Sequence, residues 1–167
     1  QGSLDFIYQS NYGEYIEKAK KIYEKYAEKI VLPSDLAYVD AGARRECAVG
    51  AVPEQICALD IGSRTAEQYE RVILHAKTVF VNGPMGVFEK PETELGTKTV
   101  FEALAASEGY TVVGGGDSVT AAAKYQVKDK LGYVCTGGGA LIRFLTGEEL
   151  PVVKALRGAA QRFGGRA

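Results

Sequence analysis

The stretch Tyr110-Thr111-Val112-Val113-Gly114-Gly115-Gly116-Asp117-Ser118 decides how this chain is read. Aromatic and β-branched residues at 110–113 favour a short buried strand, and a run of glycine stops it at once. A helix then predicts itself from Asp117 to about Lys124. The same order returns downstream, where Gly132 to Cys135 reads as a strand that ends in Gly137-Gly138-Gly139 before another helix. Upstream, the strand Thr78 to Val81 runs into the loop Asn82-Gly83-Pro84-Met85-Gly86, then a helix from about Thr97 to Ser107 with Val100, Phe101 and Leu104 inward. Short apolar strands alternating with helices predict βα units, and hence a three-layer α/β/α fold on a mainly parallel sheet.

Working outward, Leu59-Asp60-Ile61-Gly62 leads to Ser63, a good N-cap, and a helix carrying Ala66, Tyr69, Val72, Ile73 and Ala76 inward. His75 lies near the end of that helix as a surface residue. Ile30-Val31-Leu32 reads as a buried strand halted by Pro33, with extended structure resuming from Leu36 to Asp40. Residues 41–58 suggest a small excursion with one short strand. Earlier still, Tyr12, Tyr15, Ile16, Ala19, Ile22, Tyr23, Tyr26 and Ala27 recur at helical spacing, which predicts a stripe packed on the core. Pro151 suits the first turn of a last helix reaching about Arg162.

The chain has 167 residues, the size of one domain. Apolar residues at 46% and charged ones at 25% fit a globular protein and exclude a disordered one. Twenty basic against 21 acidic side chains give a net charge of −1, a poor basis for nucleic-acid binding. No apolar run suggests a membrane span and no secretory signal is visible, so a cytoplasmic protein is expected. Gln1-Gly2-Ser3 reads as a cloning remnant outside the fold. Cys47, Cys57 and Cys135 form no C-x-x-C pair, and with a single histidine they predict reduced thiols rather than a zinc site.

Glycine is the anomaly. Average usage would give about twelve; there are 20, of which fifteen follow residue 80. In open parallel sheets ligands bind beyond the carboxyl ends of the strands. Glycine there lets backbone N–H groups approach an anion, and the following helix adds free amides and a positive dipole end. Two triplets on one sheet edge predict a polyphosphate cradle. Neither G-x-x-x-x-G-K-[ST] nor G-x-G-x-x-G occurs, since Val119 stands at the last glycine position of the latter, so a P-loop and a dinucleotide site are disfavoured. Asp117 has two readings, a helix cap or a carboxylate ligand for Mg²⁺ beside phosphate oxygens.

Taken together, Asn82 to Glu89 (NGPMGVFE), Gly114 to Ser118 (GGGDS) and Thr136 to Ala140 (TGGGA) resemble the nucleotide-binding half of phosphoglycerate kinases. Ile30 to Pro33, Leu59 to Gly62 and Leu150-Pro151 extend the resemblance over nearly the whole chain. It implies a partial Rossmann-like nucleotide domain over residues 4–167. The family's enzyme moves a phosphoryl group between 1,3-bisphosphoglycerate and ADP, giving 3-phosphoglycerate and ATP in glycolysis, with Mg²⁺, as a monomer. By the same resemblance Glu89 holds the ribose hydroxyls, Asn82 sits near the α-phosphate, and Pro84 and Val87 line the nucleoside pocket. Gly115 and Gly116 offer amides to the transferring phosphoryl, Ser118 continues that contact, Asp117 holds Mg²⁺, and Gly138 and Gly139 open a second helix aimed at the same group. The family's amino-terminal domain, which binds 3-phosphoglycerate, has no counterpart here, nor has its Gly-Gly-x-Lys segment. The resemblance therefore implies a chain cut inside the second domain and inactive alone. The alternative is a free-standing, non-catalytic nucleotide-binding module.

Overall fold

Helical spacing at Val100, Phe101 and Leu104 becomes the most deeply buried face of the molecule, with all three at 3% exposure or less. They lie on α4 (Leu95–Ala106), and around them close Ile73 of α3 (Ser63–His75), Val81 of β4 (Thr78–Asn82), Val113 of β5 (Tyr110–Gly114), and Ala121 and Ala122 of α5 (Gly116–Lys124). The computed structural model describes residues 1–164. Its other strands and α-helices are α1 (Gly2–Gln9), α2 (Glu14–Tyr26), β1 (Asp35–Asp40), β2 (Ala43–Ala48), β3 (Asp60–Ile61), β6 (Tyr133–Cys135), α6 (Gly138–Leu145) and α7 (Pro151–Phe163). No helix among the described residues is long and apolar enough to cross a membrane.

The expected parallel sheet is β4-β5-β6. Its register sets Asn82 beside Gly114 and Gly114 beside Cys135, so all three strands end level with one another. Beside it stands a second, antiparallel sheet, β2-β1-β3. The excursion at 41–58 thus holds the return strand of a hairpin, whose two-residue turn Ala41-Gly42 has positive φ at both positions. Asn-Gly or Asp-Gly is the usual signature of such a turn, and Ala-Gly concealed it.

Several expectations are corrected. The tyrosine stripe is helical but does not pack on the core: Tyr12, Tyr15, Ile22, Tyr23 and Tyr26 are 40% exposed or more. It flanks an open apolar groove of about 590 Å³ with Leu4, Ile7 and Leu32. Ile30-Val31-Leu32 belongs to no strand: the Val31 carbonyl accepts the Tyr69 hydroxyl rather than a ladder amide. On α3, Ala66 and Ile73 are buried as expected, whereas Val72 faces solvent. Gln1-Gly2-Ser3, set aside above, is folded in. Gly2 N–H bonds the Glu54 carbonyl at 2.7 Å, and the Ser3 hydroxyl accepts Ala58 N–H at 3.1 Å.

Ser63 is the first residue of α3 rather than its N-cap; Gly62 holds that place. The capping comes from the hairpin. Asp35 accepts Arg64 N–H (3.1 Å) and Thr65 N–H (2.8 Å), while Glu46 accepts Ser63 N–H (3.1 Å). Two carboxylates thereby satisfy the free amides of one helix start and complement its dipole. Gly62 is obligatory for contact reasons, since any Cβ there would overlap the Asp35 carboxyl. Burial raises the Asp35 pKa, but the hydrogen bonds from Thr65 and Arg64 outweigh it and hold the carboxyl below its ordinary value.

The sign of the pH effect follows. A carboxyl depressed on folding contributes stability above its unfolded pKa of about 4 and loses it as pH falls through the lower folded value. Asp35→Ala also strands buried amides, so at pH 7 it is expected to cost about 2–4 kcal/mol. Denaturation at stepped pH checks this: the gap from the parent chain should narrow below about pH 4, and a gap constant with pH contradicts the account.

Candidate functional site

Where β4, β5 and β6 end level, the three glycine turns meet. Gly115 takes φ +96°, a conformation open to glycine and costly for other residues. Gly138 packs directly on it: a Cβ at Gly138 would come 2.6 Å from the Gly115 Cα and 2.9 Å from its nitrogen. The Asn82 side chain lies over both, with its Oδ1 3.2 Å from where a Gly115 Cβ would stand. Gly115 and Gly138 are therefore glycines because backbone meets backbone. Gly116 and Gly139 are different. A Cβ on either would meet nothing within 4 Å.

Asn82, Gly115, Gly116, Thr136, Gly138 and Gly139 line one cavity of about 530 Å³, with Ile142 and Arg143 completing it. That volume suits a small ligand. Helices α5 and α6 both begin at it, and the amides of their first turns have no acceptor within the helix. Asp117 is exposed in the first turn of α5, whose N-cap is Gly115, and no side-chain hydrogen bond caps that helix. The capping reading of Asp117 is thus not what the structure contains. Among the described residues no three acidic, cysteine or histidine side chains form a metal cage. A lone carboxylate fits Mg²⁺ only where phosphate oxygens and water supply the other ligands, which is how Mg²⁺ accompanies nucleotides.

Ser118 is fully buried, and its hydroxyl oxygen accepts Gly83 N–H at 2.7 Å. It ties the Asn82–Glu89 loop to α5. The rest of that loop is fixed almost group by group. Thr97 Oγ1 accepts Met85 N–H (3.1 Å) and Gly86 N–H (3.3 Å), the Leu59 carbonyl accepts Val87 N–H (2.8 Å), and Thr93 donates to the Val87 carbonyl (2.5 Å). Lys124 reaches the Phe88 carbonyl at 2.5 Å and Glu94 at 2.7 Å. Sequence reasoning missed Thr93, Thr97 and Lys124. The available signal was two threonines at helical spacing, Thr93 in the turn just before α4 and Thr97 in the first turn of α4, in line with the buried Val100, Phe101 and Leu104.

Beneath the loop, Asp60 has no exposed side-chain surface. It accepts Gly96 N–H at 2.9 Å and pairs with Arg44 at 3.0 Å, and burial raises its pKa in spite of both contacts. Arg44 also donates to the carbonyls of Glu92 and Ile61, each at 3.0 Å, bracing the loop against the hairpin. Val87, with Leu59, Met85 and Gly86, lines a second cavity of about 430 Å³. Pro84 and Glu89 stand outside both cavities, Glu89 exposed at the loop's end.

The family model of phosphoglycerate kinase matches residues 6–148. A phosphoglycerate kinase from Methanothermus fervidus is 40% identical over 156 residues, covering 93% of this chain and 38% of that protein. One from Rubrobacter xylanophilus is 44% identical over 147 residues, covering 86% and 38%. The crystal structure of phosphoglycerate kinase from Pyrococcus horikoshii OT3 superposes with a TM-score of 0.87 at 36% identity, covering 96% of this chain and 40% of that one. The chain thus spans about two fifths of the length of the relatives it matches.

The glycines separate by a stability test. Gly138→Ala must push two backbones apart and should lower the melting temperature by many degrees. Gly116→Ala and Gly139→Ala sit in helix starts with open space and should leave it level or raise it, by up to about 1 kcal/mol each. Thermal melts of the three variants check this; equal losses in all three would mean that every glycine serves packing.

Proposed function

The chain belongs to the phosphoglycerate kinase family, and from that premise we propose that residues 4–167 form most of the Mg²⁺–nucleotide site of such an enzyme, a cytoplasmic monomer when whole. The carrying observation is the pair Gly116 and Gly139, two glycines that packing does not require, on helix starts facing one cavity. Glycine at such places keeps the backbone approachable by an anion.

In this reading the amides of Gly115, Gly116, Gly138 and Gly139 receive the oxygens of the transferring phosphoryl, and Asn82 the α-phosphate. Val87, together with Leu59 and Pro84, flanks the nucleoside, and Glu89 accepts hydrogen bonds from the ribose hydroxyls. Ser118 acts through Gly83, fixing the loop that presents Asn82. Asp117 would hold Mg²⁺, which when bound neutralises charge on the phosphate oxygens. In the complete reaction the phosphoryl leaves the acyl oxygen of 1,3-bisphosphoglycerate and bonds to a β-phosphate oxygen of ADP, yielding 3-phosphoglycerate and ATP. Such transfer needs little covalent work from the protein; positioning and charge stabilisation dominate. The chain spans about two fifths of the length of its relatives, and in this reading the acid substrate is held by the rest of the enzyme.

Calorimetric titration with ADP and Mg²⁺ at millimolar levels should give weak, saturable heat. Gly139→Ala should reduce it without loss of stability, and Asp117→Asn should remove its Mg²⁺ dependence while the melting temperature stays put. Absence of any heat would sink the nucleotide reading; unchanged affinity in Gly139→Ala would sink the role of the open glycines.

Turnover is a separate matter. Reactants must be held in line within about 3–3.5 Å, and in this reading the acid substrate is positioned by the rest of the enzyme. A coupled assay on the purified 167-residue chain should read background. Activity that persists through a further purification step would overturn that division of labour.

A further inference from the structure

Arg143 is the one charged side chain lining the cavity between the two glycine turns, among the described residues. It stands four residues after Gly139, one helical turn along the same face of α6. Side chains on a helix lean toward its N-terminus, so the Arg143 stem runs back over a turn that carries no side chain at Gly138 or Gly139. Its other engagement is slight. Nε lies 4.0 Å from Glu148 Oε2, with both side chains more than 60% exposed, and exposed pairs of that kind contribute little. The guanidinium is thus free to move, on a long arm, beside backbone amides that already favour an anion.

The starts of α5 and α6 face the cavity with backbone amides and helix dipoles. These supply partial charges only. We propose that Arg143 is a phosphate-binding cation of this site, donating from its planar fork to the oxygens of the terminal phosphate of a nucleoside di- or triphosphate. Arginine suits the task because its donors match two phosphate oxygens at once and its charge persists at any working pH. Its place on α6 lets one residue serve both glycine turns, since the cavity it lines includes Gly115 and Gly116 as well as Gly138 and Gly139.

The inference rests on the nucleotide reading of the same site, and its test separates the two. The full chain, Arg143→Gln and Arg143→Lys are titrated with Mg²⁺–ADP and with adenosine, and amide spectra are recorded by NMR. Arg143 is exposed, so both variants should fold, with spectra unchanged outside α6. We expect Arg143→Gln to weaken ADP binding about tenfold, the value of one charge-assisted contact, and to leave adenosine binding untouched. Arg143→Lys should recover part of the loss. Equal ADP affinity in the parent and Arg143→Gln overturns the proposal while the nucleotide reading stands. Equal weakening of ADP and adenosine overturns it too, since that marks a general disturbance of the fold. If the parent chain binds neither ligand, the nucleotide reading fails and this proposal with it.

Discussion

The contact between Gly115 and Gly138 is the constraint on which the site depends. With backbone against backbone, any Cβ at Gly138 would enter the space of Gly115. That approach draws the start of α6 onto the start of α5, so two helix dipoles and two sets of free amides share one cavity. Register supplies the other half of the arrangement, since β4, β5 and β6 are level at Asn82, Gly114 and Cys135. A slip of one residue would reverse the facing of every side chain and separate the turns.

The antiparallel sheet serves this site indirectly. Asp35 and Glu46 cap α3, and α3 packs on α4. Arg44 and Asp60 brace the segment from Ile61 to Gly96. From α4, Thr97 holds the amides of the Asn82–Glu89 loop. The hairpin thus reaches the loop through these polar contacts by way of α3 and α4. A loop held at successive amides and carbonyls retains its shape without a ligand, which lowers the ordering cost of binding one.

Much of this was legible in the residues. The strands at 78–81, 110–113 and 132–135 announce themselves by β-branched runs closed with glycine, and the family resemblance rests on the turns that follow them. Two kinds of information were hidden. The hairpin turn Ala41-Gly42 lacks the usual signature, so β2 and its sheet passed for an excursion. The tyrosine stripe has a correct helical period, but period reveals which residues share a face and not whether anything covers it; here they remain exposed. Ser118 shows the same limit at the site. A hydroxyl after Gly-Gly-Gly-Asp suggests a ligand contact, whereas its oxygen is committed to Gly83 inside the protein. Only the packing of the fold distinguishes Gly115 and Gly138, where backbone meets backbone, from Gly116 and Gly139, which have open space above them.

The central claim is that the open face between these turns receives a nucleotide's phosphates. Amide hydrogen exchange, followed residue by residue with and without Mg²⁺–ADP, tests it most directly. The account predicts new protection at Gly115 to Asp117 and Gly138 to Ala140, with less change at Gly83, Met85, Gly86 and Val87, whose amides are already bonded. Protection confined to the α1–α2 groove or to α7, with both glycine turns unaltered at saturating nucleotide, would contradict it.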